Sequence, residues 1–390
     1  MREIFWTAGT FGLLAALAIG FLGTTHAAET APLIQQIQAV GKEGAGNVEA
    51  AKAWRALVKL GPPALTDILK ALDEEQPISA NWLRAAVDAI AENELTAGRP
   101  LPKDQLEAFV VDTKNTGLAR RLAFEWLAQV DPTAPDRLIP GMVDDPSAEL
   151  RRDAVARVIT EAEQLVAKGD KDKAKTVWRK AFTHARDKDQ VILIADQLEK
   201  LGDTVDRVAK FGFIPDWLLI GPFDSSGGVG FGIAYPPEKG VDLASALIGK
   251  DQKPVQWFSH STTDKLGVVD LNTALGKHKG SVAYAFTTIE SPVARLVEFR
   301  VGSNNAIKIF LNGQQIFAHE EYHHGDRMDQ YVGRGMLKKG RNDILLKVCQ
   351  NEQTQAWAQK WSFQLRVCDA IGGAVPMKVV TPKNIPGEAN

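Results

Sequence analysis

The sequence predicts a two-part protein of mixed class: an N-terminal α-helical repeat array followed by a C-terminal antiparallel β-sandwich or jelly roll. Three observations carry that prediction. Apolar residues recur at spacings of three and four up to about residue 201, the rhythm changes to every second residue beyond 211, and 390 residues exceed one typical domain. The formal net charge of −2 gives no global attraction to nucleic acid. No nucleic-acid partner is expected.

The first 28 residues read as a leader. Arg2, offset by Glu3, precedes an apolar run from Ile4 to Leu22, and Thr25 and Ala27 are the small residues ahead of a cut near Ala28. The run is also almost long enough to span a bilayer, so a secretory signal and an uncleaved anchor both stay open. A membrane is a partner only if the segment stays uncut. Either reading places the remainder in the periplasm or outside the cell, and the absence of a cysteine at the cut excludes a lipoprotein signal.

Residues 29–210 are expected to form the helical array. Ala53, Trp54, Leu57 and Val58 make one stripe; Gly61, Pro62 and Pro63 end it, and Leu65, Ile68, Leu69 and Leu72 make the next. Trp82, Leu83, Ala86, Val87 and Ile90 follow, then Leu106, Phe109 and Val110, then Leu118, Leu122, Ala123, Trp126 and Leu127. Asp145 before Pro146 predicts a capped start for the helix of Leu150, Ala154, Val155 and Val158, with Arg151 and Arg152 on a solvated face. Trp178 and its neighbours, then Ile192, Ala195, Leu198 and Leu201, complete the set. The four tryptophans at 54, 82, 126 and 178 read as packing residues.

Helices this short cannot bury an apolar face alone, so stacked pairs are the economical solution. KLGPPALTDILKAL at 59–72 and RLIPGMVDDPSAELRRDAVARVI at 137–159 resemble HEAT-type repeats, and GDKDKAKTVWRKAFTHARDKDQ at 169–190 resembles a tetratricopeptide helix pair. The resemblance implies a protein partner held along the array.

Residues 211–375 are expected to form the sandwich, with 376–390 a disordered tail whose TPKNIPGEAN end is polar and proline-rich. Short runs at 211–223, 266–271, 281–289, 295–301, 306–311, 315–319, 342–349 and 361–368 are joined by polar turns. Asn312 and Gly313 tolerate the positive φ of a tight hairpin turn and join the 306–311 run to the next. Trp361, Phe363, Leu365 and Val367 define one face of the last strand and Cys368 the other; Cys349 lies on the corresponding less apolar face of the strand before it. If those strands form a hairpin, Cys349 and Cys368 come within bridging range, which leaves a disulfide and two separate thiols both open.

WLLIGPF at 217–223, the YPPE loop at 235–238, FRVGSNNAIKIFLNGQQIF at 299–317 and the segment from 337 to 369 together resemble the galactose-binding-like and PA14-like jelly rolls of secreted bacterial proteins. That resemblance implies carbohydrate binding or partner docking. It also implies a calcium site before the central strand, where this chain has Ser303, Asn304 and Asn305; neutral amides in place of carboxylates make a poorer cation site.

AHEEYHHGDRMDQYVG at 318–333 holds the densest polar and aromatic cluster. Tyr322, His323, Asp326, Arg327 and Asp329 supply an aromatic face and planar hydrogen-bonding groups suited to a sugar, with Tyr235, Trp257 and Trp357 as further aromatic candidates. His319, His323 and His324 are the weak metal candidates, since their spacing matches no known signature. No cofactor motif or catalytic residue stands out. The expected function is an exported, non-enzymatic protein with a protein-binding array and a carbohydrate- or partner-binding sandwich. A polysaccharide hydrolase or lyase using carboxylates near 320–329, and a purely structural assembly protein, are the alternatives.

Overall fold

A computed structural model describes residues 28–73 and 76–380. The leader up to residue 27 and the tail from 381 lie outside the described residues, and no described helix is long and apolar enough to cross a membrane. The chain divides into two compact units, Met1–Asp187 and Lys188–Asn390.

The first unit is helical: α1 (28–38), α2 (Asn47–Leu60), α3 (Leu65–Lys70), α4 (Pro77–Thr96), α5 (Lys103–Val111), α6 (Gly117–Val130), α7 (Ala134–Leu138), α8 (Ala148–Ala167) and α9 (Lys171–His184). Each stripe read from the sequence becomes a buried line, so α2 packs on α4, α5 on α6, and α8 on α9. One apolar core runs from Ile34 to Ala154 through Leu57, Leu83, Leu122 and Leu150, as a stacked array requires. Trp126 and Trp178 are buried, whereas Trp54 and Trp82 are partly covered.

Two expectations in this unit are corrected. The cap of α8 is Ser147, whose hydroxyl accepts from the Leu150 amide; Asp145 instead takes the Arg120 guanidinium in two parallel bonds of 2.7 Å. Arg151 is not on a solvated face: it is buried and donates to the Asp145 carbonyl at 2.8 Å. A buried arginine-aspartate node therefore fastens α6 to the start of α8 where the pattern suggested an ordinary cap.

The second unit opens with α10 (Lys188–Lys200) and α11 (Arg207–Phe211), in which Val191, Ile194, Ala195 and Leu198 form the buried stripe. Ile192, placed on that stripe by its spacing, is only partly buried. The strands that follow are β1 (Asp216–Asp224), β2 (Leu247–Ile248), β3 (Pro254–Val255), β4 (Phe258–Ser261), β5 (Val269–Asp270), β6 (Ser281–Ser291), β7 (Arg295–Ser303) and β8 (Ala306–Leu311). They continue as β9 (Gln314–His319), β10 (Tyr331–Leu337), β11 (Gly340–Gln350), β12 (Ser362–Cys368) and β13 (Lys378–Val379). Residues 376–380, assigned to the tail, thus end in a strand that pairs with β6.

All pairings are antiparallel. The larger sheet has the order β4-β1-β6-β11-β8-β9 with β13 also on β6, and the smaller has the order β10-β7-β12-β5. Their inner faces share a core of Trp217, Ala285, Ile309, Leu346, Phe299, Phe363 and Leu365, which makes the unit a β-sandwich. The outer face of the larger sheet is covered as well. Residues from 231 to 257, including α12 (Pro236–Lys239), lay Tyr235, Val241, Leu243, Val255 and Trp257 against Leu218, Tyr284, Phe286 and Phe310.

The cysteine pairing is corrected by this topology. Strand β11 belongs to the larger sheet and β12 to the smaller, so they are not a hairpin, and both thiols are free. The alternation still holds: each cysteine sits on the outward face of its own sheet, Cys349 among the outer cluster and Cys368 with its thiol on the Glu298 carbonyl. Burial pushes the two thiols up to about 12 and about 11. The native protein is expected to show no fast-reacting thiol and to yield both only after unfolding; one thiol titrating rapidly in the folded chain would contradict the burial.

Candidate functional site

The hairpin turn between β7 and β8, the 318–330 segment and the 351–361 segment meet at one end of the sandwich. Asn304 and Asn305 form the hub. The Asn304 carbonyl accepts the His323 amide at 2.5 Å, and the Asn305 side chain donates to Gln350 and Lys360 while accepting from the Ser362 amide. Both asparagines are buried; the Asn305 amide and the Asn304 backbone carbonyl fasten these segments together, and the Asn304 side-chain oxygen accepts from the Ser362 hydroxyl at 3.5 Å. These bonds are turn chemistry, and the Asn305 side-chain oxygen expected for calcium already accepts from the Ser362 amide.

Gly302 explains how the 318–330 segment comes so close. A Cβ at that position would stand 2.4 Å from the Arg327 carbonyl, so only glycine lets the segment cross β7 there. Above this crossing, the His323 ring bonds the Asn351 side chain at 2.7 Å and meets Trp357 edge to face, with ring centres 5.4 Å apart. Tyr322 lies on the other side of His323 at 6.4 Å, half buried. Asp326 receives the Lys360 ammonium at 3.3 Å. Arg327 is exposed.

Trp357 is the outstanding side chain of this rim. It is 63% exposed, whereas Trp217, Trp257 and Trp361 in the same unit are 1%, 3% and 0% exposed. Its turn is nonetheless held firmly: Gln359 donates to the Thr354 and Gln355 carbonyls, and the Ala358 carbonyl takes the Lys279 ammonium at 2.6 Å. An indole on a fixed turn beside an imidazole, an amide and an ion pair offers one apolar face bordered by donors and acceptors.

Other expected members are elsewhere. Asp329 is drawn under the smaller sheet's outer face, where Arg366, 2% exposed, grips it with bonds of 2.6 and 2.5 Å and Arg300 adds one of 3.0 Å. Burial alone would raise its pKa, but the two guanidinium groups outweigh that and keep the carboxyl below its usual range. Tyr235 and Trp257 pack on the outer face of the larger sheet, far from solvent display in the case of Trp257. His319 and His324 both bond Glu321, with His319 also against the Tyr331 ring, while His323 faces away from them to Asn351. Glu321 is held below its usual pKa chiefly by the His319 bond. Among the described residues no group of three His, Cys, Asp or Glu side chains stands ready for a metal ion.

The 351–361 segment supplies two rim groups that the sequence did not single out, Asn351 and Lys360. The only available signal was their nearness in sequence to Trp357. Nothing in that stretch predicts that it folds back onto His323.

Fold and rim together define a class: a helical unit followed by an antiparallel sandwich with an aromatic-polar rim. No family model and no curated protein sequence matches the chain. Among solved structures, an anti-sigma factor domain-containing protein is similar at TM-score 0.27 and 14% identity, over 44% of this chain and 47% of that one. A β-glucosidase from Kluyveromyces marxianus in complex with glucose is similar at TM-score 0.26 and 16% identity, over 39% of this chain and 16% of the enzyme. A GH31 α-xylosidase from Xanthomonas citri is similar at 0.21 and 10%, over 40% of this chain and 18% of the enzyme. The chain matches less than half the length of each, and likenesses this slight decide neither family nor activity.

Proposed function

We propose that this chain is an exported, non-enzymatic binding protein whose sandwich takes a carbohydrate on the Trp357 and His323 rim, while its helical unit docks a protein partner. The sandwich is read as a jelly roll of the galactose-binding-like and PA14-like kind, and the helices as HEAT-like repeats passing into a tetratricopeptide-like pair. Export rests on the leader-like first 28 residues.

One observation carries the reading: an indole left exposed on a turn that is otherwise tightly bonded. Exposing that much apolar surface has a cost in water that a sugar face recovers; the His323 ring, bonded to Asn351, lies beside the indole, and the Asp326–Lys360 pair belongs to the same two segments. Of the loop's carboxylates, Asp329 is held by Arg366 and Arg300 and Glu321 by His319, so neither is free to serve as the protonated carboxyl that glycosidic cleavage needs.

Affinity electrophoresis of the purified chain through gels containing soluble polysaccharides tests this. At least one polysaccharide is expected to retard it, with or without chelator, and Trp357→Ala is expected to lose about tenfold or more in affinity while melting at the wild-type temperature. Unretarded migration through neutral and acidic glycans alike would remove the carbohydrate reading. Release of reducing ends, lost on Asp326→Asn, would replace it with the hydrolase or lyase.

A further inference from the structure

The Asn312 and Gly313 turn stands far from the rim, yet it borders a pocket of about 510 Å³ on the outer face of the larger sheet. The floor is a single cross-strand row: Phe286 of β6 lies opposite Leu345 of β11, which lies opposite Phe310 of β8. Rows on adjacent strands repeat at about 4.8 Å, so three apolar side chains floor a slot roughly 10 Å across. Val241 and Leu243 form one wall beside α12, and the hairpin turn forms the opposite end. Trp257 packs edge-on against Phe286, yet beside it the 231–257 segment leaves a cavity, on whose floor Phe286, Leu345 and Phe310 are 3%, 7% and 8% exposed.

The charges around the slot are unequal in commitment. Glu238 is engaged from behind by the fully buried Lys347 at 2.8 Å and by the Tyr284 hydroxyl. Lys347 also donates to the Phe231 and Ile233 carbonyls, which pins the wall of the pocket in place. Asp343 accepts from Thr288 and Arg341. Lys239 and Lys338, both exposed, also line the pocket, and among the described residues neither ammonium has an ion-pair partner. A slot with an apolar floor and a polar rim, its two carboxylates and Arg341 already paired and two ammonium groups left uncommitted, selects a body with an apolar face and a negative charge.

We propose that this pocket is a second binding site, distinct from the aromatic rim, for a small ring-bearing carboxylic acid. The ring lies on the row of Phe286, Leu345 and Phe310. The carboxylate takes charge-assisted hydrogen bonds from Lys239 and Lys338, and the Asn312 turn closes the far end. The volume fits one such molecule, since small-ligand sites span roughly 300–1,000 Å³.

The test uses the full chain with methyl-labelled Leu and Val and two probes of the same shape, 4-methoxybenzoate and the neutral 4-methoxybenzamide. The acid is expected to shift the Leu345, Leu243 and Val241 methyl resonances saturably. The amide, and the acid on a Lys239→Gln, Lys338→Gln double variant, are expected to bind about tenfold or more weakly, the usual effect of losing a hydrogen bond to a charged group. Both lysines are exposed, so the double variant is expected to keep the native methyl spectrum. Absence of shifts with the acid at millimolar concentration, or equal binding of acid and amide, would overturn the proposal. Shifts confined to methyl groups outside this pocket would do the same.

Discussion

Replacing Arg120 by methionine is expected to destabilise the helical unit by about 3–5 kcal/mol, the usual cost of breaking a buried ion pair from one side. The guanidinium is 1% exposed, bonds both Asp145 oxygens and donates through Nε to the Val110 carbonyl at 2.6 Å. Its removal leaves Asp145 buried and charged, and the end of α5 loses a bond. Asp145 in turn holds the Ser147 amide and, through its carbonyl, Arg151, so the start of α8 loosens too. Urea unfolding followed by far-ultraviolet circular dichroism checks this. Adding Asp145→Leu to Arg120→Met is expected to recover much of the loss, because no charge is then stranded. If the single variant unfolds at the wild-type urea concentration, the node is not holding the array together.

Asp329→Ala is expected to cost the sandwich a similar amount, about 3–5 kcal/mol, without weakening carbohydrate binding by the molecules that stay folded. Arg366, buried with its remaining bonds on the Phe211 and Gly372 carbonyls, would lose its charged partner, and Arg300 would keep Glu298 and the Ala370 carbonyl. Trp357→Ala is expected to behave in the opposite way, with binding lost and stability kept. The two variants separate a residue that holds the fold from one that meets the ligand, although both lie in or beside the polar cluster read from the sequence. Acid should mimic the Asp329 change. Its native pKa lies below the unfolded value of about 3.9, so the stabilisation is fully present above that pH and disappears as pH falls through the native pKa. Asp329→Asn is expected to flatten that part of the acid-unfolding curve.

The helices and most strands were legible because their apolar periods survive in the sequence unaltered: Leu83, Ala86, Val87 and Ile90 are buried where the spacing put them, and so are Phe363, Leu365 and Val367. β10 was not legible. Between the inward Tyr331 and Leu337 stand Gly333 and Gly335, where a Cβ would fall 2.9 Å from Phe317 and 2.8 Å from Leu311, so neighbours fill the space and the apolar alternation is broken. The cysteine error has a different origin. Facing was readable from alternation, but which strand lies beside which is set by pairing across the chain, with β6 and β8 flanking β11 and β7 flanking β12.

The site was readable in composition and not in arrangement. His323 and Trp357 meet edge to face although 34 positions separate them in the chain. Asp329 looked like a ligand group because carboxylates bind sugars and arginines equally well. Only the position of Arg366 on β12, across β7 from the strand that follows Asp329, decides between those uses. Tyr235 and Trp257 looked exposed because their segment is rich in glycine and proline, yet that segment folds flat onto the larger sheet.

The central claim is that Trp357 meets the ligand, and indole N–H resonances of the nitrogen-15-labelled chain test it most directly. On titration with an oligosaccharide from whichever polysaccharide retards the protein, the Trp357 indole signal is expected to shift saturably, while those of Trp217, Trp257 and Trp361 stay in place. A saturable titration in which Trp357 does not move, or in which the buried indoles move instead, would contradict the account.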